Sequence, residues 1–309
     1  MLTLLFAAPD WSKYEGPLRR TLAKAGIAAR FAGDDTDPAL VDYIIYAPGS
    51  MLRDFTPYTR AKAVLSLWAG VERIVGNATL TQPLCRMVDQ GLAEGMVEWV
   101  TGHVLRHHLG LDAQLAAQDG IWRPELTPPL ARDRKVTMLG LGELGAACAQ
   151  ALAGLNFAVT GWSRSPKSLP GITCVSGAEG LRQALSTAEI LVTLLPNTPD
   201  TSNLLNAETL ALLPRGAVIL NPGRGTLIDD DALLAALDSG QVGQATLDVF
   251  RTEPLPAGHP YWAHPRVTVT PHIAAATRPG SASEVVVENI RRGEAGLPFL
   301  YLVDRTRGY

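Results

Sequence analysis

Cysteine is nearly missing from this chain, which carries only Cys85, Cys148 and Cys174 among 309 residues, none closely spaced with another. That excludes a disulfide framework and a thiolate metal site, and each cysteine is expected as a small core residue. Neither charge sign dominates: 27 Lys and Arg stand against 30 Asp and Glu, a formal net charge of -3, with the signs interspersed. A basic face for nucleic acid is therefore not expected. No apolar run is long enough to span a bilayer, because prolines and polar residues break every hydrophobic segment. Met1 to Ala8 is apolar but lacks a positive stretch ahead of it, so it reads as a first buried strand and not as a signal peptide. The expected compartment is the cytoplasm.

The length suits two domains, each able to bury a core. Leu2–Ala7, Ile27–Phe31, Tyr43–Tyr46 and Ala63–Leu67 are strand candidates, and a helix through Leu18, Leu22 and Ala25 closes at Gly26. Strands alternating with helices predict a mainly parallel sheet covered on both faces. Glu94 to Gln118 reads as one long helix, with Met96, Val100, Val104 and Val97, Leu105, Leu109 at helical spacing. His103 and His107 have the i, i+4 spacing of a metal pair, but no third ligand or acidic partner is in register. They and His108 read as surface or interface residues, and no metal is expected. Asp119 to Arg134, with Pro124, Pro128 and Pro129, reads as a loop.

Lys135-Val-Thr-Met-Leu-Gly-Leu-Gly-Glu-Leu-Gly145 is strand, tight turn and helix start, with Gly140, Gly142 and Gly145 in G-x-G-x-x-G spacing. In a β-α-β unit, Gly140 allows the turn, Gly142 lets a pyrophosphate approach the backbone, and Gly145 lets the helix pack on the strand. Free N–H groups at the helix start would face the phosphates. Ala158–Trp162 supplies the next strand, and Ile172–Val175, Ile190–Leu195, Ala217–Leu220, Ala245–Val249 and Val267–Thr270 continue the pattern. Asp229 reads as the N-cap of a helix to Leu237, and a last helix lies near Ser281–Arg292. The fold class is α/β with two doubly wound domains. A Rossmann dinucleotide-binding domain (99–278) is expected to be inserted into a flavodoxin-like substrate domain (1–98 and 279–309), with cofactor and substrate meeting in a cleft.

A Rossmann domain that prefers NAD ends its second strand with an acid, roughly 20 residues past the glycines, that binds the ribose hydroxyls. Here the place reads Gly161-Trp-Ser-Arg-Ser-Pro-Lys167. Ser163 replaces the acid, and Arg164, Ser165 and Lys167 offer the charge and donors a 2′-phosphate needs, which points to NADP. Three further strand-end loops carry polar residues suited to carbonyl reduction. A 2-keto acid needs a cation for its carboxylate, a proton donor for its carbonyl oxygen, and a group that keeps the donor charged. Arg224 suits the first by its paired donor geometry, His272 the second, and Glu253 the third. Leu67-Trp-Ala-Gly-Val71 follows a strand of the first domain, and its N–H groups suit an anionic substrate. An ordinary strand-to-loop turn explains the same residues equally well.

This set resembles the D-isomer-specific 2-hydroxyacid dehydrogenase family over nearly the whole chain. Within it, Gly161–Lys167, Leu194-Leu-Pro-Asn-Thr-Pro199, Leu233-Leu-Ala-Ala-Leu-Asp-Ser-Gly240, Arg251-Thr-Glu-Pro-Leu-Pro256 and the ending Val303-Asp-Arg-Thr-Arg-Gly-Tyr309 resemble the NADPH-dependent glyoxylate/hydroxypyruvate reductase A group. The resemblance implies NADPH-dependent reduction of small 2-keto acids and a homodimer built on the cofactor domains. It implies that Arg224 holds the substrate carboxylate, His272 is the proton donor and Glu253 supports it. Cofactor contacts are implied for Gly140, Gly142, Glu143, Leu144 and Gly145 in the glycine turn, and for Ser163, Arg164, Ser165 and Lys167 after the second strand. Leu195, Pro196, Asn221, Pro222, Gly223 and Ala274 join them, with Asp248 accepting from the nicotinamide carboxamide.

Ala69, Gly70 and Val71 are implied as backbone donors to substrate. Trp68 stands where the family usually has a small residue, so it joins the expected substrate contacts and bears on the size of the acid. Gly223 stands where alanine is common. Two other readings use the same residues: a dehydrogenase for a bulkier 2-keto acid, and a non-enzymatic protein that senses dinucleotide.

Overall fold

The computed structural model describes residues 1–33 and 35–305. The chain forms two compact units, Met1–Leu92 with Thr277–Tyr309, and Ala93–Ala276. The last four residues of the C-terminal motif, 306–309, lie outside the described residues.

The first unit contains β1 (Leu2–Ala7), α1 (Trp11–Lys24), β2 (Ala29–Phe31), β3 (Tyr43–Tyr46), β4 (Ala63–Ser66) and β5 (Leu84–Cys85). The strands form one parallel sheet in the order β2-β1-β3-β4-β5, the flavodoxin-like order. All four residues of β3 are buried. Tyr43 and Ile45 pack with Leu18 and Leu22 of α1 and with Val286 and Ile290 of the C-terminal helix Pro279–Glu294, whereas Ile44 and Tyr46 pack with Phe55, Val71 and Ile74. Side chains alternate across a strand, so an uninterrupted apolar strand demands cover on both faces. β5 has two residues, too few for a period, and no sequence pattern announced it.

The second unit holds all but the start of α2 (Gln90–Leu109), then α3 (Leu111–Ala116), β6 (Lys135–Leu139), α4 (Glu143–Gly154), β7 (Ala158–Ser163), β8 (Thr173–Ser176) and α5 (Gly177–Thr187). It continues with β9 (Ile190–Thr193), α6 (Ala207–Ala211), β10 (Ala217–Asn221), α7 (Asp230–Asp238), β11 (Val242–Leu247), α8 (Pro260–Ala263) and β12 (Val267–Val269). The parallel order β12-β11-β10-β9-β6-β7-β8 is the doubly wound dinucleotide-binding arrangement with one strand added beyond the sixth. β9 again feeds both faces: Ile190 and Val192 join Val100 and Val104 of α2, and Leu191 joins Leu185 and Leu205.

Two expectations are corrected here. The helix read over 94–118 is two helices, because Gly110 takes φ 66°, a left-handed conformation that ends an α-helix. His107 and His108 also turn inward. The His107 ring lies 2.9 Å from Gln244 Oε1 and 2.9 Å from Thr246 Oγ1 on β11, and His108 is buried with its ring 4.9 Å from that of Phe157. Burial pushes both imidazoles below their ordinary pKa.

Candidate active site

The glycine turn joins β6 to α4 in the second unit. Gly140 takes φ 106°, and a Cβ there would lie 2.3 Å from the carbonyl oxygen of Leu194. A Cβ on Gly145 would lie 1.9 Å from the carbonyl oxygen of Gly140, so only glycine lets α4 begin this close to the strand. Gly142, the N-cap of α4, is different: a Cβ there meets nothing within 4 Å. No side chain caps this helix, whose first-turn N–H groups have no acceptor inside it. The open face at Gly142 and the N–H groups of Glu143, Leu144 and Gly145 suit the pyrophosphate of a dinucleotide. Leu195 borders the same turn, with Cδ2 3.2 Å from the Cβ position of Gly140, and the Pro196 carbonyl accepts from Thr201 at 2.6 Å.

After β7, Ser163 is buried and donates to the carbonyl of Ser165 at 2.8 Å, folding the loop on itself. Arg164 is 63% exposed and lies 3.9 Å from Asp200, itself 80% exposed, so water screens the pair and leaves the guanidinium accessible. Lys167 reaches back to the carbonyl of Leu141 at 2.5 Å, which places an ammonium group beside the glycine turn.

Asn221 ends β10 and is 1% exposed. Its Oδ1 accepts from Thr193 at 2.7 Å and from the N–H of Gly223 at 3.1 Å, while its Nδ2 donates to the Arg224 carbonyl at 3.0 Å. Asn221 thus shapes the turn that presents Arg224. Pro222 and Gly223 are buried, and a Cβ on Gly223 would lie 2.7 Å from the Thr193 carbonyl oxygen, so glycine permits this close approach. The half-buried Arg224 side chain donates to the Gly223 carbonyl at 2.7 Å. Gly225 lies against the next loop: a Cβ there would be 2.0 Å from the carbonyl carbon of Phe250.

Asp248 follows β11 and is fully buried. Its carboxylate accepts from Thr270 Oγ1 at 2.5 Å, from the N–H of Ile273 at 3.0 Å and from the N–H of Ala274 at 2.9 Å. Its carbonyl accepts from the N–H of His272 at 2.8 Å. His272 sits at φ 55°, a conformation uncommon for a side-chain-bearing residue, and these bonds on either side hold it there. The His272 Nδ1 lies 2.8 Å from Glu253 Oε2, and Glu253 Oε1 accepts from the N–H of Phe250 at 2.9 Å. Arg224, Glu253 and His272 therefore stand on three strand-end loops of one sheet; Glu253 meets His272 directly, and Gly225 brings the Arg224 loop against Phe250 and Arg251 of the Glu253 loop.

In the first unit, Trp68, Ala69, Gly70 and Val71 follow β4. The Trp68 carbonyl accepts from Met87 at 3.0 Å and its N–H donates to Ser66 Oγ at 3.1 Å, while the residue stays 42% exposed. Val71 is buried in the core. Among the described residues, nothing accepts from the N–H groups of Ala69, Gly70 and Val71.

Sequence reasoning missed the supporting residues. Thr193 and Thr270 carry no recognisable signal, since their partners lie 28 and 22 residues away. Asp248 and Asn221 were read as cofactor contacts only, and the structure gives each an internal scaffolding task.

The doubly wound sheet and glycine turn define a dinucleotide-binding protein. Residues 101–274 match the model of the D-isomer specific 2-hydroxyacid dehydrogenase NAD-binding domain. The chain is 40% identical to glyoxylate/hydroxypyruvate reductase A of Serratia proteamaculans, over 98% of this chain and 97% of that protein. Among solved structures it resembles a D-isomer specific 2-hydroxyacid dehydrogenase from Xanthobacter autotrophicus in complex with NADPH and MES, with TM-score 0.91 and 41% identity over 100% of this chain and 99% of that one. It also resembles the NADPH-dependent glyoxylate/hydroxypyruvate reductase of Sinorhizobium meliloti in complex with NADP and sulfate, with TM-score 0.86 and 34% identity over the full length of both chains. This chain belongs to the D-isomer-specific 2-hydroxyacid dehydrogenase family. Among the described residues, no helix is long and apolar enough to cross a membrane.

Proposed function

We propose that this protein reduces small 2-keto acids with NADPH, glyoxylate to glycolate and hydroxypyruvate to D-glycerate. The observation that carries the reading is the 2.8 Å pair of His272 and Glu253, with the Glu253 loop packed on the Arg224 loop. The names of the Serratia and Sinorhizobium relatives support the substrate class, and those of the Xanthobacter and Sinorhizobium structures support the cofactor.

When bound, NADPH supplies the hydride. The residues fit it: the open face at Gly142 and the start of α4 take the pyrophosphate, and Arg164, Ser165 and Lys167 take the 2′-phosphate in a loop without the acid that would repel it. Asp248, with three of its carboxylate acceptor sites used inside the protein, keeps capacity for the nicotinamide carboxamide. Arg224 pairs with the substrate carboxylate and polarises the neighbouring carbonyl. Glu253 engages His272 Nδ1, so Nε2 is the nitrogen that hands a proton to the carbonyl oxygen as the carbon gains hydride. The product is the 2-hydroxy acid, and His272 recovers its proton from water. The unpaired N–H groups of Ala69, Gly70 and Val71 support a second hold on the anionic substrate.

We further infer a homodimer acting in the cytoplasm. Leu115, Ile121, Trp122 and Leu130, within one stretch of the second unit's sequence, are each more than half exposed, and a second copy would cover such apolar side chains. The free thiols support a reducing compartment. The bulkier-acid reading rests on Trp68, whose exposed ring can line a substrate pocket. The test is loss of NADPH absorbance with glyoxylate, hydroxypyruvate and phenylpyruvate, repeated with NADH. Fast turnover of the two small acids with NADPH supports the proposal. Preference for phenylpyruvate moves it to the bulkier acid, and binding of NADPH without turnover of any acid makes the protein a dinucleotide sensor.

A further inference from the structure

Arg251 lies two residues before Glu253, and its guanidinium engages other segments of the second unit. It donates through Nη2 to the carbonyl of Ile228 and to Asn203 Oδ1, and its Nε lies 3.5 Å from Asp230 Oδ2. Each partner is fixed in turn. Asn203 donates its N–H to the Thr226 carbonyl at 2.8 Å, and Asp230 Oδ1 accepts from the Tyr261 hydroxyl at 2.9 Å. Thr226 and Ile228 belong to the segment that runs on from Arg224. The two loops also touch directly, since the missing side chain of Gly225 admits the Phe250–Arg251 peptide, with Arg251 N 2.4 Å from the Cβ position.

We propose that Arg251 is a positioning residue that locks the Glu253 loop onto the Arg224 loop, and so sets the distance between the proton donor and the carboxylate anchor. The role rests on the proposed keto acid reduction. The physical need is clear: the donor and the anchor act on one small molecule, and an error of about 1 Å in such a pair costs on the order of a hundredfold in rate. Arg251 to Pro254 are exposed, so apolar packing holds this stretch only at its two ends, through Phe250 and Leu255. A planar guanidinium binds several acceptors in fixed directions at once, which a lysine ammonium on a flexible stem cannot copy. The bonds to Ile228 and Asn203 span 23 and 48 residues and bind one active-site loop to the other.

The test compares Arg251→Gln and Arg251→Lys with the wild type. Four quantities are read: melting temperature, the dissociation constant for NADPH, kcat and KM for glyoxylate, and the 15N signals of the His272 ring. Arg251→Gln is expected to lower kcat by about ten- to a hundredfold and raise KM, with NADPH affinity changed less than about threefold. Its His272 Nδ1 and Nε2 signals should move toward those of Glu253→Gln, because the carboxylate is no longer held against Nδ1. Arg251→Lys should recover only part of either effect. A lower melting temperature with unchanged kcat, KM and ring signals would overturn the proposal and leave Arg251 as a surface staple. If Arg251→Gln does not fold, Tyr261→Phe, which removes only the hydroxyl bond to Asp230, should show the same changes at smaller size, and unchanged His272 signals there would be equally decisive. A wild type that turns over no keto acid defeats the functional reading, while the ring signals still decide whether Arg251 holds the Glu253–His272 pair.

Discussion

The N–H of His272 donates to the carbonyl oxygen of Asp248 at 2.8 Å, and the carboxylate of that aspartate takes up the N–H groups of Ile273 and Ala274 just beyond. One buried residue at the end of β11 therefore clamps the loop that carries His272, the proposed proton donor, and keeps that residue in a left-handed backbone conformation. Asp248→Asn would set an amide N–H against a backbone N–H. We expect a loss of about 2–3 kcal/mol in unfolding free energy, the cost of leaving buried donors unpaired, together with a marked fall in kcat. Urea denaturation of the variant beside the wild type checks this, and equal midpoints would show the clamp to be idle.

His272→Gln keeps a side-chain hydrogen-bonding group but none that gains or loses a proton near neutral pH. Turnover should fall by about 10²- to 10⁴-fold, as on loss of a general acid, with NADPH binding close to wild type. Steady-state kinetics with glyoxylate and a fluorescence titration of NADPH measure the two separately. Undiminished turnover would remove His272 from the chemistry.

The glycine turn makes opposite predictions for neighbouring alanines. Gly145→Ala drives a methyl group into the Gly140 carbonyl and should destabilise the fold, whereas Gly142→Ala meets no protein atom and should melt near the wild-type temperature. The methyl at position 142 would instead occupy the space expected for pyrophosphate, raising the NADPH dissociation constant at least about tenfold. A Gly142→Ala protein that binds NADPH normally would place the phosphates elsewhere.

Arg164 is more than half exposed in the loop proposed to take the 2′-phosphate. Arg164→Ala should weaken NADPH by about 1.5–3 kcal/mol, roughly ten- to a hundredfold, and leave NADH nearly unchanged. Equal losses for both cofactors, in paired titrations, would contradict a contact to the phosphate that distinguishes them.

Acid should destabilise the second unit through its inward-facing histidines. Burial is the main cause that holds His107 below the ordinary value of 6.5, with Arg106 adding to it and the Gln244 bond and Asp112 opposing. Below about pH 6.5 the unfolded chain therefore binds a proton that the folded chain resists, and stability falls as the pH drops from there toward the folded-state value. His107→Gln should flatten this loss in the range below about pH 6.5. Denaturation midpoints across that range test it, and identical slopes for the two proteins would assign the acid sensitivity to other groups.

Local physics made much of this protein legible from its residues. Leu2–Ala7 and Tyr43–Tyr46 are strands at the bounds that their apolar runs predict, and Asp229 caps α7 by accepting from Ala232 at 3.0 Å. Glycine spacing, strand alternation and the polar residue after each strand act over a few neighbouring residues, so they survive in a linear reading. Gly110 shows the limit of such a reading: helical periodicity continues past it, but a single left-handed residue divides the helix.

Only the tertiary structure decided which groups those residues serve. His107 and His108 read as surface or interface residues, because nothing in the helix itself discloses that β11 and Phe157 lie against them. Asp248 turned out to anchor the His272 loop across 25 and 26 residues, and Arg251 to reach Asn203 across 48. A buried polar group must find a partner wherever the fold brings one, and that partner is set by sheet order and loop packing, which no short pattern encodes. The sequence by itself thus determined the doubly wound architecture and the chemical types of the site. The tertiary structure decided the hydrogen bonds that give those types a fixed geometry.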